Sequence, residues 1–275
     1  MIASIPTVDL GHGIQIPQLG FGVFQVPPPE TKTAVAEALK VGYRHVDTAK
    51  IYGNEEGVGE AIAESGIARE DLFITTKLWN SDQGYESALA AFEKSRTKLG
   101  LEYVDLYLIH WPAPATDRYV DSWKALEKLR ADGMVRATGV SNFEPQHLMR
   151  IIDLGGTVPA INQIELHPAL QQIELREFHA HEGIVTEAWS PLAKGQVLDD
   201  PILVDISLRL DRTPAQVILA WHLQLGNVVI PKTVTPARMV ENFDIFDIDL
   251  SHDDLAAIST LDREHRTGPN PLELD

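Results

Sequence analysis

Short apolar runs recur along the chain at 20–23, 43–46, 72–76, 104–109, 135–140, 160–164, 184–188 and 228–230. The segments between them have a different period. Tyr85, Ala88, Leu89, Phe92 and Leu99 fall on one face of a helix, as do Val120, Trp123, Leu126 and Leu129 on the next. Helix starts are marked by Thr213-Pro214-Ala215-Gln216, which places an N-cap Thr, a Pro in the first turn and a Gln three residues on, and by Thr235-Pro236. Before the first run, the alternating stretch 7–16 turns at Gly11-His12-Gly13 and predicts a small hairpin. Pro27-Pro28-Pro29 predicts a stiff loop ahead of the first helix.

Eight short strands alternating with helices predict a parallel sheet, because a parallel partner requires a long crossover and a helix supplies one. Eight such units in 275 residues predict a (β/α)8 TIM barrel with an N-terminal β-hairpin, and one domain over residues 1–275. A doubly wound sheet is the competing architecture. Against it, no Gly-x-Gly-x-x-Gly opens the first helix, and eight units exceed what one such domain uses.

Composition narrows the function. Lys plus Arg number 23 against 40 Asp plus Glu, giving a net charge of −17, which disfavours nucleic-acid and membrane partners. No cysteine is present, so thiol nucleophiles, zinc fingers and disulfides are excluded. The first basic residue is Lys32 and no apolar run is long enough to span a bilayer, which predicts a cytoplasmic, monomeric protein.

In such a barrel the chemistry sits at the carboxyl ends of the strands. Asp47, Lys77, His110, Ser141, Asn142, Gln163, Trp189, Ser190 and Lys232 all fall there, with Tyr52 in the loop 48–56. A phenol is a poor acid near neutrality unless a cation stabilises its phenolate. Lys77 can do so, Asp47 can keep Lys77 charged, and His110 can orient an oxygen or relay a proton. The set predicts general-acid delivery of a proton to an oxygen, with neither a nucleophile nor a metal cluster. His179 and His181 lie two apart in a predicted helix and so point to different faces, which disfavours a metal pair.

These residues carry a resemblance. The segments 42–55, 74–79, 105–112, 139–143, 162–168 and 230–233 resemble the aldo-keto reductases across nearly the whole chain, and 54–59 and 240–243 resemble the short prokaryotic members typified by 2,5-diketo-D-gluconate reductase. The resemblance implies reduction of aldehydes, ketones and dicarbonyls with NADPH, held without a Rossmann fold. It implies Tyr52 as general acid, Lys77 and Asp47 as the pair that lowers its pKa, and His110 as the group that orients the carbonyl. Ser141, Asn142 and Gln163 would hold the nicotinamide carboxamide, with Trp189 stacked on the ring. Ser190 and Leu192 belong to a loop, 190–196, that would cover the pyrophosphate.

Lys232, Thr233, Arg238, Glu241 and Asn242 would form the adenosine end of the site, where a helix amino terminus and two cations suit a 2′-phosphate. Phe24, Trp79 and Trp111 would wall the substrate pocket. Lys50, two residues before Tyr52, is a candidate for attracting anionic keto acids. The short tail after 263 implies an open pocket of broad specificity. The alternative is an NADPH-binding sensor barrel with little turnover.

Overall fold

The computed structural model describes residues 5–274. The hairpin pairs β1 (Thr7–Asp9) with β2 (Gln15–Pro17). Eight parallel strands follow: β3 (Phe21–Gly22), β4 (His45–Asp47), β5 (Phe73–Leu78), β6 (Val104–Ile109), β7 (Val135–Ser141), β8 (Ile161–Glu165), β9 (Val185–Trp189) and β10 (Val228–Val229). They are ordered sequentially in one sheet. The ring closes where Gly20 N–H donates to Val229 O at 2.8 Å, Val229 N–H to Gln18 O at 2.9 Å and Gly22 N–H to Pro231 O at 3.1 Å. The TIM barrel and its hairpin stand as the sequence predicts.

Helices α1 (Pro28–Val41), α2 (Glu55–Glu64), α3 (Tyr85–Leu99), α4 (Tyr119–Ala131), α5 (Pro145–Ile152), α6 (Ile173–Glu182), α7 (Pro201–Leu210), α8 (Pro214–Gln224), α9 (Pro236–Phe243) and α10 (His252–Ser259) lie outside the strands. Pro28 and Pro29 are inside the first turn of α1, not in a loop ahead of it. Early positions of a helix have no intrahelical partner for their N–H, so Pro is accepted there. The capping box at Thr213 forms as predicted, with Gln216 N–H donating to Thr213 Oγ1 and Thr213 N–H to Gln216 Oε1. Thr235 occupies the N-cap of α9, but its side chain makes no cap hydrogen bond. On α3 the expected face holds for Ala88, Phe92 and Leu99, whereas Tyr85 in the first turn is exposed.

Two cores result. The larger lies between strands and helices and includes Trp123, Leu126, Phe92, Tyr107 and Phe143. The smaller fills the floor of the barrel, where Phe73, Leu106, Leu108, Ala137, Ile161 and Val228 meet Leu10, Ile14 and Ile16 of the hairpin. The hairpin is therefore a plug for the amino-terminal mouth. Because side chains alternate along a strand, the positions that continue upward from this floor are fixed: Thr75 and Lys77 above Phe73, Gln163 above Ile161, Glu187 above Val185. The interior is apolar at the bottom and polar toward the top.

Candidate active site

Asp47, Lys77, Gln163 and Glu187 are all buried in that upper interior layer. Lys77 Nζ donates to Asp47 Oδ1 at 2.6 Å, to Thr48 O at 3.0 Å and to the Tyr52 hydroxyl at 3.3 Å. All three ammonium hydrogens are thus directed, one of them at the phenol. Tyr52 ends a short 3-10 turn, Lys50–Tyr52, inside what the sequence suggests is open loop. The turn is tied down from both sides. Asn54 accepts from Thr48 Oγ1 at 2.9 Å and donates to Val23 O at 2.9 Å, and buried Glu55, first residue of α2, accepts from Thr76 Oγ1 at 2.7 Å.

Around the phenol stands an aromatic wall. Phe24 lies 5.0 Å and His110 5.7 Å from Tyr52 between ring centroids, and Trp79 lies 5.3 Å from His110. Together with Trp111 and Trp189 they border a cavity of about 750 Å³ at the carboxyl end of the barrel, within the size range of ligand sites.

Electrostatics refine the expected roles. Burial raises the Tyr52 phenol pKa above its ordinary value; Lys77 pulls it down and the Asp47 charge pushes it up. Asp47 therefore does not lower the phenol pKa directly, as the resemblance implies for the pair. Its effect runs through Lys77: burial opposes the ammonium, but Asp47 foremost, with Tyr52 and Glu187, more than compensates and the Lys77 pKa stands above its usual value. Tyr52 is accordingly held protonated in the resting site, with a cation in place to receive the phenolate. Burial and the Lys77 charge push the His110 imidazole well below its ordinary range, so the ring is neutral near neutrality and offers one N–H donor.

The rest of the rim is a connected lattice. Ser141 Oγ donates to Gln163 O at 2.8 Å, Asn142 Nδ2 donates to His110 O at 3.0 Å, and the Trp189 indole N–H donates to Asn142 Oδ1 at 2.8 Å. Asn142 and Ser190 have φ of 64° and 49°, left-handed conformations that turn the chain sharply at the ends of β7 and β9. Ser141, Asn142, Gln163, Ser190, Leu192 and Lys232 all border the cavity.

Thr233, Arg238, Glu241 and Asn242 do not border it; they lie on or next to α9, beyond Lys232. Lys232 itself sits three residues past β10 rather than at its end. Glu241 accepts from Thr213 Oγ1 at 2.7 Å, which commits its carboxylate to the start of α8. Lys232 and Arg238 are exposed and have no acidic partner within bonding distance among the described residues. Two free cations beside one helix start suit a phosphate group.

Lys50 differs from the expectation. Its ammonium is bonded to Asp82, so its charge is locally neutralised, and it does not border the cavity. His179 is buried between Asn162 at 2.9 Å and Thr186 at 2.9 Å, while His181 is exposed. The two histidines serve opposite sides of α6.

Sequence reasoning passed over one feature and gave no contacts for another. One is Glu187, an acid inside an otherwise apolar run; that pattern alone marks an inward polar residue two places before the strand end. The other is the tail. Thr267, Gly268, Pro269 and Leu274 border the cavity, so the tail forms part of its wall. The tail is fastened by Glu165 of β8, which accepts from Thr267 N–H and Oγ1, each at 2.6 Å, and from Gly268 N–H at 3.2 Å. His167 lies 3.2 Å from the same carboxylate and Lys194 Nζ donates to Thr267 O at 2.7 Å. Gly268 lies flat against Trp189, where a Cβ would overlap the indole ring.

A parallel barrel whose rim sets a buried, charged lysine against a half-buried phenol, with a neutral imidazole alongside, is built to hand a proton to an oxygen. The chain belongs to the Aldo/keto reductase family, whose sequence model matches residues 18–263. It is 53% identical to the glyoxal reductase of Bacillus subtilis over 98% of this chain and 97% of that protein. It is 48% identical to the methylglyoxal reductase DkgA of Escherichia coli K12 over 98% of each. The crystal structure of a Gox0644 variant in complex with NADPH superposes with a TM-score of 0.95 at 49% identity, covering 99% of this chain and 100% of that one.

Proposed function

We infer that the protein reduces aldehydes, ketones and dicarbonyls to alcohols with NADPH, small dicarbonyls of the glyoxal and methylglyoxal type foremost. The observation that carries this reading is the Lys77 hydrogen bond to Tyr52 at the floor of an aromatic cavity. It is supported by relatives named for reduction of glyoxal and methylglyoxal and by the solved neighbour that binds NADPH.

The residues present fit the cofactor. Among the described residues, Gln163 borders the cavity with its Nε2 spent and no donor to its Oε1, Trp189 lines the same space, and Lys232 and Arg238 have no acidic partner. Ser141, Asn142 and Gln163 would hold the carboxamide, Trp189 the ring, Ser190 and Leu192 the pyrophosphate. Lys232, Thr233, Arg238, Glu241 and Asn242 would take the adenosine end. When bound, a reduced nicotinamide supplies the hydride.

Everything else falls to side chains. Phe24, Trp79 and Trp111 exclude water and confine a small carbonyl. His110 donates its N–H to the carbonyl oxygen, and Tyr52 gives that oxygen its proton. Lys77 stabilises the phenolate left behind, and Asp47 keeps Lys77 charged. We read the chain as one barrel unit, monomeric and cytoplasmic, without nucleic-acid or membrane partners. The net charge of −17 disfavours nucleic-acid and anionic-membrane partners, and no helix among the described residues is long and apolar enough to cross a membrane.

The test is steady-state NADPH oxidation with glyoxal, methylglyoxal, phenylglyoxal, simple aldehydes and 2,5-diketo-D-gluconate, beside Tyr52→Phe. The wild type should turn over dicarbonyls. The variant should lose about 10²–10⁴-fold in kcat, the range for a general acid, while still binding NADPH. NADPH binding with no consumption by any carbonyl would instead make the protein a sensor and overturn the reading.

A further inference from the structure

We propose that Glu187 is a positioning residue for the cofactor's carboxamide, acting by locking the side-chain amide of Gln163 in the orientation that turns Oε1 to the cavity. The proposal rests on the reading that Gln163 meets the nicotinamide.

Gln163 and Glu187 face each other in register across β8 and β9. Gln163 Nε2 donates to Asp47 Oδ2 at 2.9 Å and to Glu187 Oε2 at 2.8 Å. An amide nitrogen has two hydrogens, so both are spent on carboxyl oxygens. Rotation about the terminal torsion of a glutamine is otherwise broad and close to two-fold, and a flip exchanges donor for acceptor. Here a flip would set the carbonyl oxygen against the Asp47 carboxylate and against Glu187 Oε2, the oxygen that bears no proton, both at hydrogen-bond distance, and leave an N–H pair facing the cavity. Asp47 is already engaged by Lys77 through its other oxygen. Glu187 supplies the second anchor, without which the amide is held at one point and its oxygen is free to swing.

The surroundings of Glu187 fit this task. It is fully buried, and the charged or titratable groups around it are Asp47 and His45 from β4, Lys77 from β5 and Tyr52 beyond it. Val228 of β10 is its apolar neighbour on the other side. Its Oε1 has no hydrogen-bond partner among the described residues and stands 3.8 Å from His45 Nε2. A neutral carboxyl matches that asymmetry: one oxygen accepts from Gln163 and the other carries the proton. Burial and the Asp47 charge push the Glu187 pKa up to about 8, which agrees. A neutral Glu187 also leaves the layer with one cation and one anion, so the lysine field on Tyr52 is not cancelled.

The experiment measures binding without any carbonyl substrate. Dissociation constants of NADP+ and of its 3-acetylpyridine analogue, whose acetyl group lacks the carboxamide NH2, are read from quenching of tryptophan fluorescence. If Gln163 Oε1 accepts from that NH2, the wild type should prefer NADP+ by about tenfold, the value of one hydrogen bond. Gln163→Leu should erase the preference. Glu187→Leu should bring it toward unity with Gln163 still present, and Glu187→Gln, which keeps an acceptor oxygen, should restore it.

A preference in Glu187→Leu within about twofold of the wild type, with Gln163→Leu erasing it, overturns the positioning role and leaves the Gln163 contact standing. No preference in the wild type, or one that survives Gln163→Leu, overturns the contact and the proposal together. Should Glu187→Leu not fold, Glu187→Met offers similar volume without an acceptor. A merely structural role would lower the melting temperature of these variants and leave the ratio of the two constants unmoved.

Discussion

The Lys77 ammonium donates to Asp47 Oδ1 at 2.6 Å where neither side chain is open to solvent. Removing one member of a buried pair strands the other charge, a loss of about 3–5 kcal/mol. Lys77→Met should therefore do two things at once. Thermal unfolding should show a large fall in melting temperature, and kcat should drop by about 10²–10⁴-fold because the phenolate of Tyr52 loses its cation. If folded Lys77→Met retained wild-type kcat, Lys77 would be structural only.

At the other end of the proposed cofactor site, Lys232 and Arg238 have no acidic partner to release among the described residues. Each would contribute a charge-assisted hydrogen bond to a 2′-phosphate, so Lys232→Ala and Arg238→Ala should each raise KM for NADPH about tenfold or more. KM for NADH, which lacks that phosphate, should stay close to the wild-type value. Equal effects on both cofactors would remove the phosphate from the argument.

The Glu165 carboxylate fastens the tail through Thr267 and Gly268, and the hydrogen bonds to it hold its pKa below the usual value despite burial. Glu165→Leu removes all of these acceptors. Limited proteolysis should then cut within 263–274 faster than in the wild type, and KM for phenylglyoxal should rise as Pro269 and Leu274 leave the cavity wall. Gly268→Ala should give a milder version, since its Cβ must displace the tail or Trp189. Unchanged cleavage in Glu165→Leu would show that other contacts hold the tail.

Stability should pass through a maximum at about pH 7. Burial depresses the imidazoles of His45 and His222 to about 3 and of His179 to about 4, from an ordinary value of 6.5. Below pH 6.5 the unfolded chain binds these protons and the folded one does not, so stability is lost as pH falls toward those values. Glu187 acts in the other direction. Its folded pKa of about 8 exceeds the ordinary 4.5, so its contribution is full below 4.5 and is lost as pH rises toward 8. By about pH 7 the unfolded histidines have lost most of their protons and the Glu187 slope outweighs theirs. Melting temperature measured from pH 5 to 8.5 should show both limbs, and Glu187→Gln should flatten the alkaline one. An alkaline limb unchanged in Glu187→Gln would assign it to another group.

Much of the site was legible because of a rule of the fold. In a barrel, the residues at strand ends share one rim, so Asp47, Lys77, His110, Ser141 and Trp189 could be grouped from sequence although they are far apart in it. The period of two along each strand then says which neighbours point inward. What this rule does not give is pairing. That Lys50 would be spent on Asp82, that Glu241 would bind Thr213, or that Glu165 would fasten Thr267 depends on which side chains meet across loops of unequal length. Such contacts leave no periodic signal.

The alternation of apolar runs with helical stretches was enough to determine the barrel, its hairpin and the chemical character of the rim, since burial of apolar faces permits few arrangements of such a chain. Only the tertiary structure decided the charge state and partner of each group. Burial and the nearest charge set those properties, and both are sums over neighbours from several strands: Lys77 pulls down the pKa of Tyr52, His110 and Glu187 alike because β4, β5 and β9 close into one ring around it.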